Sequence, residues 1–203
     1  MKFFVVFLVV VEPLSIIPIF TALTEGASAR YRRAMAVKAI AIAAIIILVF
    51  SLAGASFLRL LGISIEAFRI FGGLLLFLIA LEMVFARESG TRTSSPEKEE
   101  SKRRHDISVF PLAFPLISGP GALVTIMLWF GPVSIVHRPV LYVGYALCAA
   151  LVLGITLACL LIAAPIMRVL GVTGANVANR LFGVVLGALA VQFMIDGLRA
   201  SFG

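Results

Sequence analysis

Six windows of mostly apolar residues dominate this sequence, and they limit what the chain can fold into. They lie near residues 3–23, 38–57, 67–86, 108–130, 140–163 and 181–199. A membrane-spanning helix needs about 20 such residues, because all its backbone hydrogen bonds close within the helix. With 62% apolar and 13% charged residues, the chain has more apolar surface than a water-soluble protein of this length can bury. The sequence therefore predicts an all-α integral membrane protein with six transmembrane helices.

The positive charges are distributed unevenly between the two sides of the predicted membrane protein. Twelve of the 17 Lys and Arg residues fall in the first, third and fifth loops, and five fall on the opposite side. Loops that face the cytoplasm carry the excess of Lys and Arg. We therefore expect both termini to face the periplasm of a bacterial inner membrane. The net charge of +7 is then a membrane-surface signal, and nucleic acid is not expected as a partner.

Matching stretches in the two halves indicate an internal repeat. EPLSIIP at 12–18 matches FPLISGP at 114–120, and LLGISIEAFRIFGG from Leu60 resembles VLGVTGANVANRLFG from Val169. Each half has three spans, an odd number, so the second copy must cross the membrane in the inverted direction. This predicts a 3+3 inverted-topology repeat, with residues 1–86 as the first three-helix repeat and 107–203 as the second. Residues 87–106, rich in Ser, Thr and charge, are predicted to be a disordered cytoplasmic linker.

The prolines in the matched stretches predict that transmembrane helices 1 and 4 are broken. Proline has no N–H and leaves the carbonyl four residues earlier without its helical partner. Where the broken helices of an inverted repeat meet near the membrane midplane, their free backbone groups form transport sites. The candidate substrate-binding residues are Glu12, Pro13, Ser15, Pro18, Pro115, Ser118, Gly119, Pro120 and Gly121.

Several of these residues have a chemical reason to be candidates. Glu12 lies about halfway along its span, where a carboxyl group either contacts a coupling ion or the substrate, or is protonated and caps a backbone group. Ser15 and Ser118 place small hydroxyls beside the two breaks. Gly119 and Gly121 allow a ligand to approach the main chain closely.

Other residues in the spans are expected to be structural. Small residues allow close helix packing, which is the role expected for Gly72, Gly73, Gly183 and Gly187. Asp196 and Arg199, three residues apart, are expected to form an interfacial pair on one helix. Arg69 is expected to anchor its helix at the interface. Asn179 and Gln192 fit interhelical hydrogen bonding and solute binding equally well.

Signals of enzyme chemistry are weak in this sequence. His105 and His137 both lie outside the predicted spans, and there is no Gly-rich phosphate loop, HExxH motif or cysteine cluster. We therefore expect no catalytic residues, no metal site and no cofactor. A coupling Na⁺ or H⁺, and association between copies of the chain, are left open. The expected partners are the lipid bilayer and a small-molecule solute.

Four ordered motifs resemble the MarC family of bacterial and archaeal inner-membrane proteins. They are EPLSIIPIF, LLGISIEAFRIFGGLLLFLIAL, FPLISGPGA and NRLFGVVLGALAVQFMIDG, and the resemblance covers the chain except the 87–106 linker. The family motif usually has Asp or Asn before its first proline and Gly two residues after it, where this chain has Glu12 and Ser15. Some members are described as transporters of small neutral amino acids.

The resemblance implies a transporter of small neutral amino acids that works by alternating access. Composition and the internal repeat favour transport of a small polar solute, whereas the amino acid is implied by the resemblance alone. The alternative is a non-transporting membrane protein, an interaction or assembly partner whose helix breaks only shape the bundle.

Overall fold

The chain forms eight helical segments in the residues that the computed structural model describes, which are 1–85, 106–133 and 137–202. In chain order these are α1 (Lys2–Val11), α2 (Pro13–Leu23), α3 (Ala29–Leu60), α4 (Ile65–Phe85), α5 (Ser108–Ile117), α6 (Pro120–Phe130), α7 (Pro139–Leu161) and α8 (Ala163–Phe202). No strand occurs in these described ranges. The prediction of an all-α chain is confirmed.

The apolar windows correspond to helices that are long enough to cross a membrane. Five segments have the necessary length and composition: Lys2–Leu23, Ala29–Leu60, Ile65–Phe85, Pro139–Leu161 and Thr173–Phe202. The α5–α6 pair, bent by 57°, is a sixth if it is counted as one span. The predicted linker lies outside the described residues, apart from Asp106.

The cavities at the two ends of the bundle show which helix ends lie together. One cavity is lined by residues from the start of α4, the end of α6, the start of α7 and the last turns of α8. Another is lined by the end of α2, the start of α3, the end of α7 and the start of α8. We call the first end the termini face, because α8 ends there, and the second end the linker face, because α4 ends and α5 begins there.

Both ends of α3 are fixed by local sequence signals. At its start the Ser28 hydroxyl accepts a hydrogen bond from the Tyr31 N–H at 3.2 Å, which satisfies one of the free donors of the first turn. At its end Gly62 has φ +71°, and the N–H groups of Gly62 and Ile63 donate to the carbonyls of Arg59 and Leu58. This is the arrangement in which a left-handed glycine ends a helix and turns the chain into the next one.

Helices α4 and α8 pack closely along small residues. A Cβ added at Gly73 would lie 2.7 Å from the Ala190 carbonyl oxygen, and one at Gly183 would lie 2.8 Å from Met83 Cβ. Gly187 is looser, with its nearest neighbour, Ala80 Cβ, at 3.5 Å. Gly72 contacts α6 instead, where an added Cβ would collide with the Val124 side chain. All four glycines therefore lie at helix–helix contacts. At Gly72, Gly73 and Gly183 any larger residue would push the two backbones apart.

The outer surfaces of the helices are apolar. Large side chains on α3 and α7 are more than half exposed, including Ile45, Leu48, Leu52, Leu147 and Leu151. Such a surface is unfavourable in water and suits contact with lipid tails. The interior is filled by a different set of side chains, including Phe7, Ile16, Ile17, Leu112 and Ile126, which are almost completely buried.

Candidate functional site

The first span changes direction at a single residue, Glu12. Its backbone is left-handed, with φ 51° and ψ 63°, a conformation that few residues other than glycine adopt. The Glu12 N–H still donates to the Leu8 carbonyl, which closes α1, and Pro13 is the first residue of α2. The Glu12 side chain is only 2% exposed. A buried carboxyl group therefore lies beside the break, where the sequence predicted a functional one.

Ser15 connects the first break to the last transmembrane helix. Its hydroxyl donates to Asn179 Oδ1 at 2.7 Å, across 164 residues of sequence. Asn179 lies on α8 beyond Gly171, where a φ of +62° interrupts that helix. From the sequence alone, Asn179 was one of several polar residues that could form an interhelical hydrogen bond or bind the solute. Its pairing with Ser15 makes it part of the candidate site.

The space beside this pair is small. A cavity of about 10 Å³ lies between α2 and α8, lined by Leu14, Ser15, Pro18 and Asn179 together with apolar residues of α8. That volume is about what one water molecule needs. Pro18 lies inside α2 and has no N–H for the Leu14 carbonyl, and the polar side chains in the lining are Ser15 and Asn179. In this conformation the first break is closed to any solute of several heavy atoms.

The second break is more extensive than the first. Phe110 and Phe114, each followed by proline, have extended backbones within α5, because a residue before proline avoids the helical region. Gly119 is also extended, with ψ 175°, and Pro120 is the first residue of α6. The Ser118 hydroxyl donates to the Ala113 carbonyl at 2.6 Å, and its N–H donates to the same oxygen at 2.8 Å. Ser118 is thus completely buried and bonded to its own segment.

The two candidate glycines of the second break are enclosed. A Cβ added at Gly119 would collide with the Pro115 carbonyl oxygen. A Cβ at Gly121 would lie 2.5 Å from Leu76 Cδ2 and 3.2 Å from Val10 Cγ1. The sequence suggested that these glycines open the main chain to a ligand, but in this conformation the space is occupied by protein atoms. The contact with Val10, two residues before Glu12, brings the start of α6 next to the end of α1.

A charged contact holds the start of the second broken span. Lys38 on α3 and Asp106 form an ion pair, and Asp106 Oδ1 accepts a 3.0 Å hydrogen bond from the Ser108 N–H at the start of α5. The bonds from Lys38 and Ser108 lower the pKa of Asp106 to about 2. This carboxylate holds the first residue of α5 through a local side-chain-to-backbone hydrogen bond.

Two larger cavities lie at opposite ends of the bundle, and a third of about 820 Å³, lined by Lys2, His137 and Arg138 among others, adjoins the one at the termini face. The one at the linker face has a volume of about 440 Å³, and its polar residues are Thr21, Thr24, Arg32 and Arg33. The one at the termini face has a volume of about 330 Å³, and its charged residues are Arg69, Arg138 and Asp196. Helix α7 contributes Leu160 to the first and Leu141 to the second, residues about 28 Å apart along the helix. That separation is close to the thickness of a bilayer's hydrocarbon core.

Asp196 differs from its predicted role. It does not pair with Arg199 in the described ranges but accepts a hydrogen bond from Gln192 Nε2 at 2.7 Å. It also lines the termini-face cavity, together with Arg69, which the sequence predicted to be an interface anchor. The prediction of Arg199 as the partner is wrong. Gln192, four residues before Asp196, and Arg199, three residues after it, both lie next to Asp196 on one helix, and the spacing does not show which of them forms the bond.

The polar groups of the breaks suit binding by hydrogen bonds and charge. Near the breaks lie a buried carboxyl group, two hydroxyls and an amide. Among residues 1–85, 106–133 and 137–202, no group of three or more His, Cys, Asp or Glu could hold a metal ion.

Comparison with known proteins gives one family. The sequence profile of the MarC family integral membrane protein matches residues 1–202. A UPF0056 membrane protein of Archaeoglobus fulgidus is 36% identical over 96% of this chain and 90% of its own length. The UPF0056 inner membrane protein YhgN of Escherichia coli is 35% identical over 96% of this chain and 93% of its own. A UPF0056 membrane protein of Aquifex aeolicus is 34% identical, with 98% and 91% covered. No solved structure matches the chain.

Proposed function

Because this chain belongs to the MarC family of integral membrane proteins, we propose that it is a multi-pass inner-membrane transporter of a small polar solute. The solute is a small neutral amino acid, and transport occurs by alternating access. The inner membrane is the location that the name of the E. coli relative gives for that protein.

One observation carries the proposal: two cavities at opposite faces are separated by a closed region that contains buried polar groups. A membrane protein without a solute to move has little reason to keep a buried carboxyl group, hydroxyls and broken backbone between two such cavities, since each is costly in hydrocarbon. In alternating access one conformation opens the middle region to one cavity and another opens it to the other. A closed centre fits an intermediate between the two.

We propose that the central site lies between the two breaks and includes Asn179. Glu12 supplies the charge that binds a coupling Na⁺ or H⁺, and Ser15 and Asn179 exchange their mutual hydrogen bond for bonds to the solute. Support comes from the burial of Glu12 and from the contact that Val10 makes with Gly121 beside the second break. No catalytic residue is assigned.

The proposed architecture is a 3+3 inverted repeat whose first and fourth spans are broken. It is supported by the non-helical residues that precede Pro13 and Pro115 in the two matched stretches. The breaks are not identical, however, because α2 continues through Pro18 whereas α6 begins at the matching Pro120.

Both termini are proposed to face the periplasm, because twelve of the 17 Lys and Arg residues lie on the linker side. Alkaline phosphatase fused after Gly203 should be active, and the same enzyme inserted near Ser95 should be inactive. The reverse pattern would refute the orientation and leave the transport proposal standing.

Transport is tested with the purified chain in proteoliposomes. Counterflow of labelled glycine, L-alanine and L-serine is measured with and without Na⁺ and proton gradients. Asn179→Ala and Ser15→Ala should each lower the apparent affinity about fivefold, the value of one net hydrogen bond. Ser56→Ala is the matched control, because Ser56 is exposed on α3 and bonds only Arg59.

The alternative function is a non-transporting assembly partner in the membrane. The closed state of both breaks favours it, since neither has room for a solute in this conformation. If no counterflow above that of empty liposomes occurs for any of these solutes, and none raises the melting temperature of the purified chain, this alternative replaces the transporter.

A further inference from the structure

The termini-face cavity contains charges of both signs. It lies between the start of α4, the end of α6, the start of α7 and the last turns of α8. Arg69 and Arg138 supply two guanidinium groups, and Asp196 supplies a carboxylate. The volume of about 330 Å³ is at the lower end of the range for ligand pockets.

The opposite charges do not neutralise each other directly. No N–O distance of 4.0 Å or less joins Asp196 to Arg69 or Arg138 in the part of the chain that is described. Among the described residues Asp196 accepts a hydrogen bond from Gln192, whose amide donates to Oδ1 at 2.7 Å. Charges that share a cavity without pairing can each bind the opposite charge of a ligand.

The remaining wall of the cavity is apolar and rigid. Trp129 and Tyr145 meet edge to face with ring centroids 5.5 Å apart, and Tyr145 also packs on Phe3 at 5.1 Å. The apolar part of the lining is completed by Leu128, Pro132, Val133, Leu141 and Phe193. Apolar walls lower the local dielectric constant and strengthen charge–charge attraction, and aromatic faces attract ammonium groups.

We propose that this cavity binds a zwitterion at the mouth of the protein. The anionic group of the ligand lies between Arg69 and Arg138, and its ammonium group lies against Asp196 beside the aromatic wall. Gln192 positions the carboxylate. Two sources have this chemistry: a free amino acid, and the headgroup of phosphatidylethanolamine in the surrounding membrane.

The role of the cavity as a receiving site for a transported solute rests on the proposed function, whereas binding itself does not. Binding is therefore measured without transport, on the purified full-length chain in nanodiscs. Calorimetric titration with L-alanine is compared with propionate and ethylamine, which carry only the acid or only the amine. L-Alanine should bind at least about tenfold more tightly than either, the worth of one charge-assisted hydrogen bond.

Variants assign each charge to its side chain. Asp196→Asn should weaken binding of L-alanine and ethylamine about tenfold and leave propionate unchanged. Arg69→Gln should weaken L-alanine and propionate by a similar factor and leave ethylamine unchanged. Arg199→Gln is the control, because it removes one charge from the same end of α8 without lining the cavity.

Changing the lipid composition of the nanodiscs distinguishes the two sources of the zwitterion. If a headgroup occupies the cavity, L-alanine should bind about tenfold more weakly in nanodiscs that contain phosphatidylethanolamine than in pure phosphatidylglycerol. If the occupant is a free solute, the two affinities should agree. Either result supports recognition of a zwitterion and identifies which one the cavity holds.

Two results would overturn the inference. One is binding of L-alanine no tighter than that of propionate and ethylamine in both lipids, including no binding of any of them. The other is equal L-alanine affinity in the wild type, Asp196→Asn and Arg69→Gln. Transport that persists unchanged in those two variants would remove the receiving role of this site and leave the transporter, whereas charge-dependent binding without counterflow would keep the site and remove the transporter.

Discussion

The two breaks share the spacing Pro-Leu-x-x-x-Pro and differ in how the chain leaves the helical conformation. At the first break only Glu12 is non-helical, and α2 continues through Pro18. At the second break Phe110, Phe114 and Gly119 are all extended, and the chain bends by 57° between α5 and α6. A residue before proline is disfavoured in a helix but not excluded from it, so proline alone does not set the extent of a break.

The two stretches also differ in the residue before the second proline. In the first stretch this residue is Ile17, which is buried and remains helical. In the second it is Gly119, which the Pro115 carbonyl oxygen approaches too closely for any side chain. The first break is also tied to a distant helix, through Ser15 and Asn179, whereas Ser118 bonds only within its own segment. The first break is therefore linked to the position of α8, whereas Ser118 holds the second break through bonds within its own segment.

The largest effect should come from Gly119→Ala. The added methyl group meets a backbone oxygen, which cannot rotate away, so we expect a loss of about 3 kcal/mol in the free energy of unfolding, at the upper end for an overpacked site. Unfolding by a denaturing detergent measures it. Gly154→Ala is the control, because an added Cβ there has no neighbour within 4 Å and alanine favours a helix. Equal stability of the two variants would contradict the local origin of the second break.

Replacing the second proline of each pair should give unequal results. Pro18→Ala restores a donor for the Leu14 carbonyl inside α2, and we expect a gain of about 2 kcal/mol, somewhat below the ~3 kcal/mol that an interior proline costs. Pro120→Ala should change the unfolding free energy little, since Pro120 is at the first position of α6, where its missing N–H has no helical acceptor. The same unfolding measurement applies, and equal gains would show that the two prolines have equivalent roles.

The next effect concerns the contact between the first break and α8. Ser15→Ala and Asn179→Ala should each destabilise the protein by about 1 kcal/mol, and their combination by little more than one of them. A double-mutant cycle measures this coupling. Ser118→Ala with Asn179→Ala is the comparison pair and should be additive, because Ser118 bonds Ala113 only. If the effects of Ser15→Ala and Asn179→Ala are additive, the first break is not energetically coupled to α8.

The smallest effect should come from Asp106, which fixes the start of the second broken span. Its pKa of about 2 lies below the ordinary value of 3.8, so its contribution is complete above pH 4 and is lost as the pH falls towards 2. Because this ion pair is exposed, Asp106→Asn should cost no more than about 0.5 kcal/mol. The melting temperatures of wild type and variant should differ at pH 7 and converge near pH 2. A difference in melting temperature that stays constant with pH would indicate that the contribution of Asp106 does not depend on its charge.

The parts of the fold that follow from local composition could be predicted from the sequence. The six apolar windows correspond to the helices that are long enough to cross a membrane, because hydropathy is a property of each segment alone. The end of α3 was also encoded locally, by Gly62. What could not be predicted depends on the angle at which helices meet. Pairing of Ser15 with Asn179 requires a specific rotation of α8 beyond Gly171, and no local pattern specifies it.

The candidate site was predictable in its chemistry but less so in its geometry. Glu12 and the serines were expected beside the breaks and lie there, yet Gly121 packs against Leu76 rather than facing an opening. A glycine that admits a ligand and one that admits a neighbouring helix look the same in a sequence, since both serve by lacking a Cβ. The cavity around Asp196 was missed for a related reason, because its charges come from three different helices.

Helix α7 runs from one mouth of the protein to the other without an interior proline or a non-helical residue. A hydrogen-bonded rod of 23 residues is about 35 Å long, so each degree of tilt about its midpoint moves its two ends by about 0.3 Å in opposite directions. When the helix tilts as a rigid rod, Leu141 and Leu160 are displaced in opposite directions. In the proposed transport cycle, a tilt of α7 would therefore change the two cavities in opposite directions through this one helix, without a relay of side chains between them.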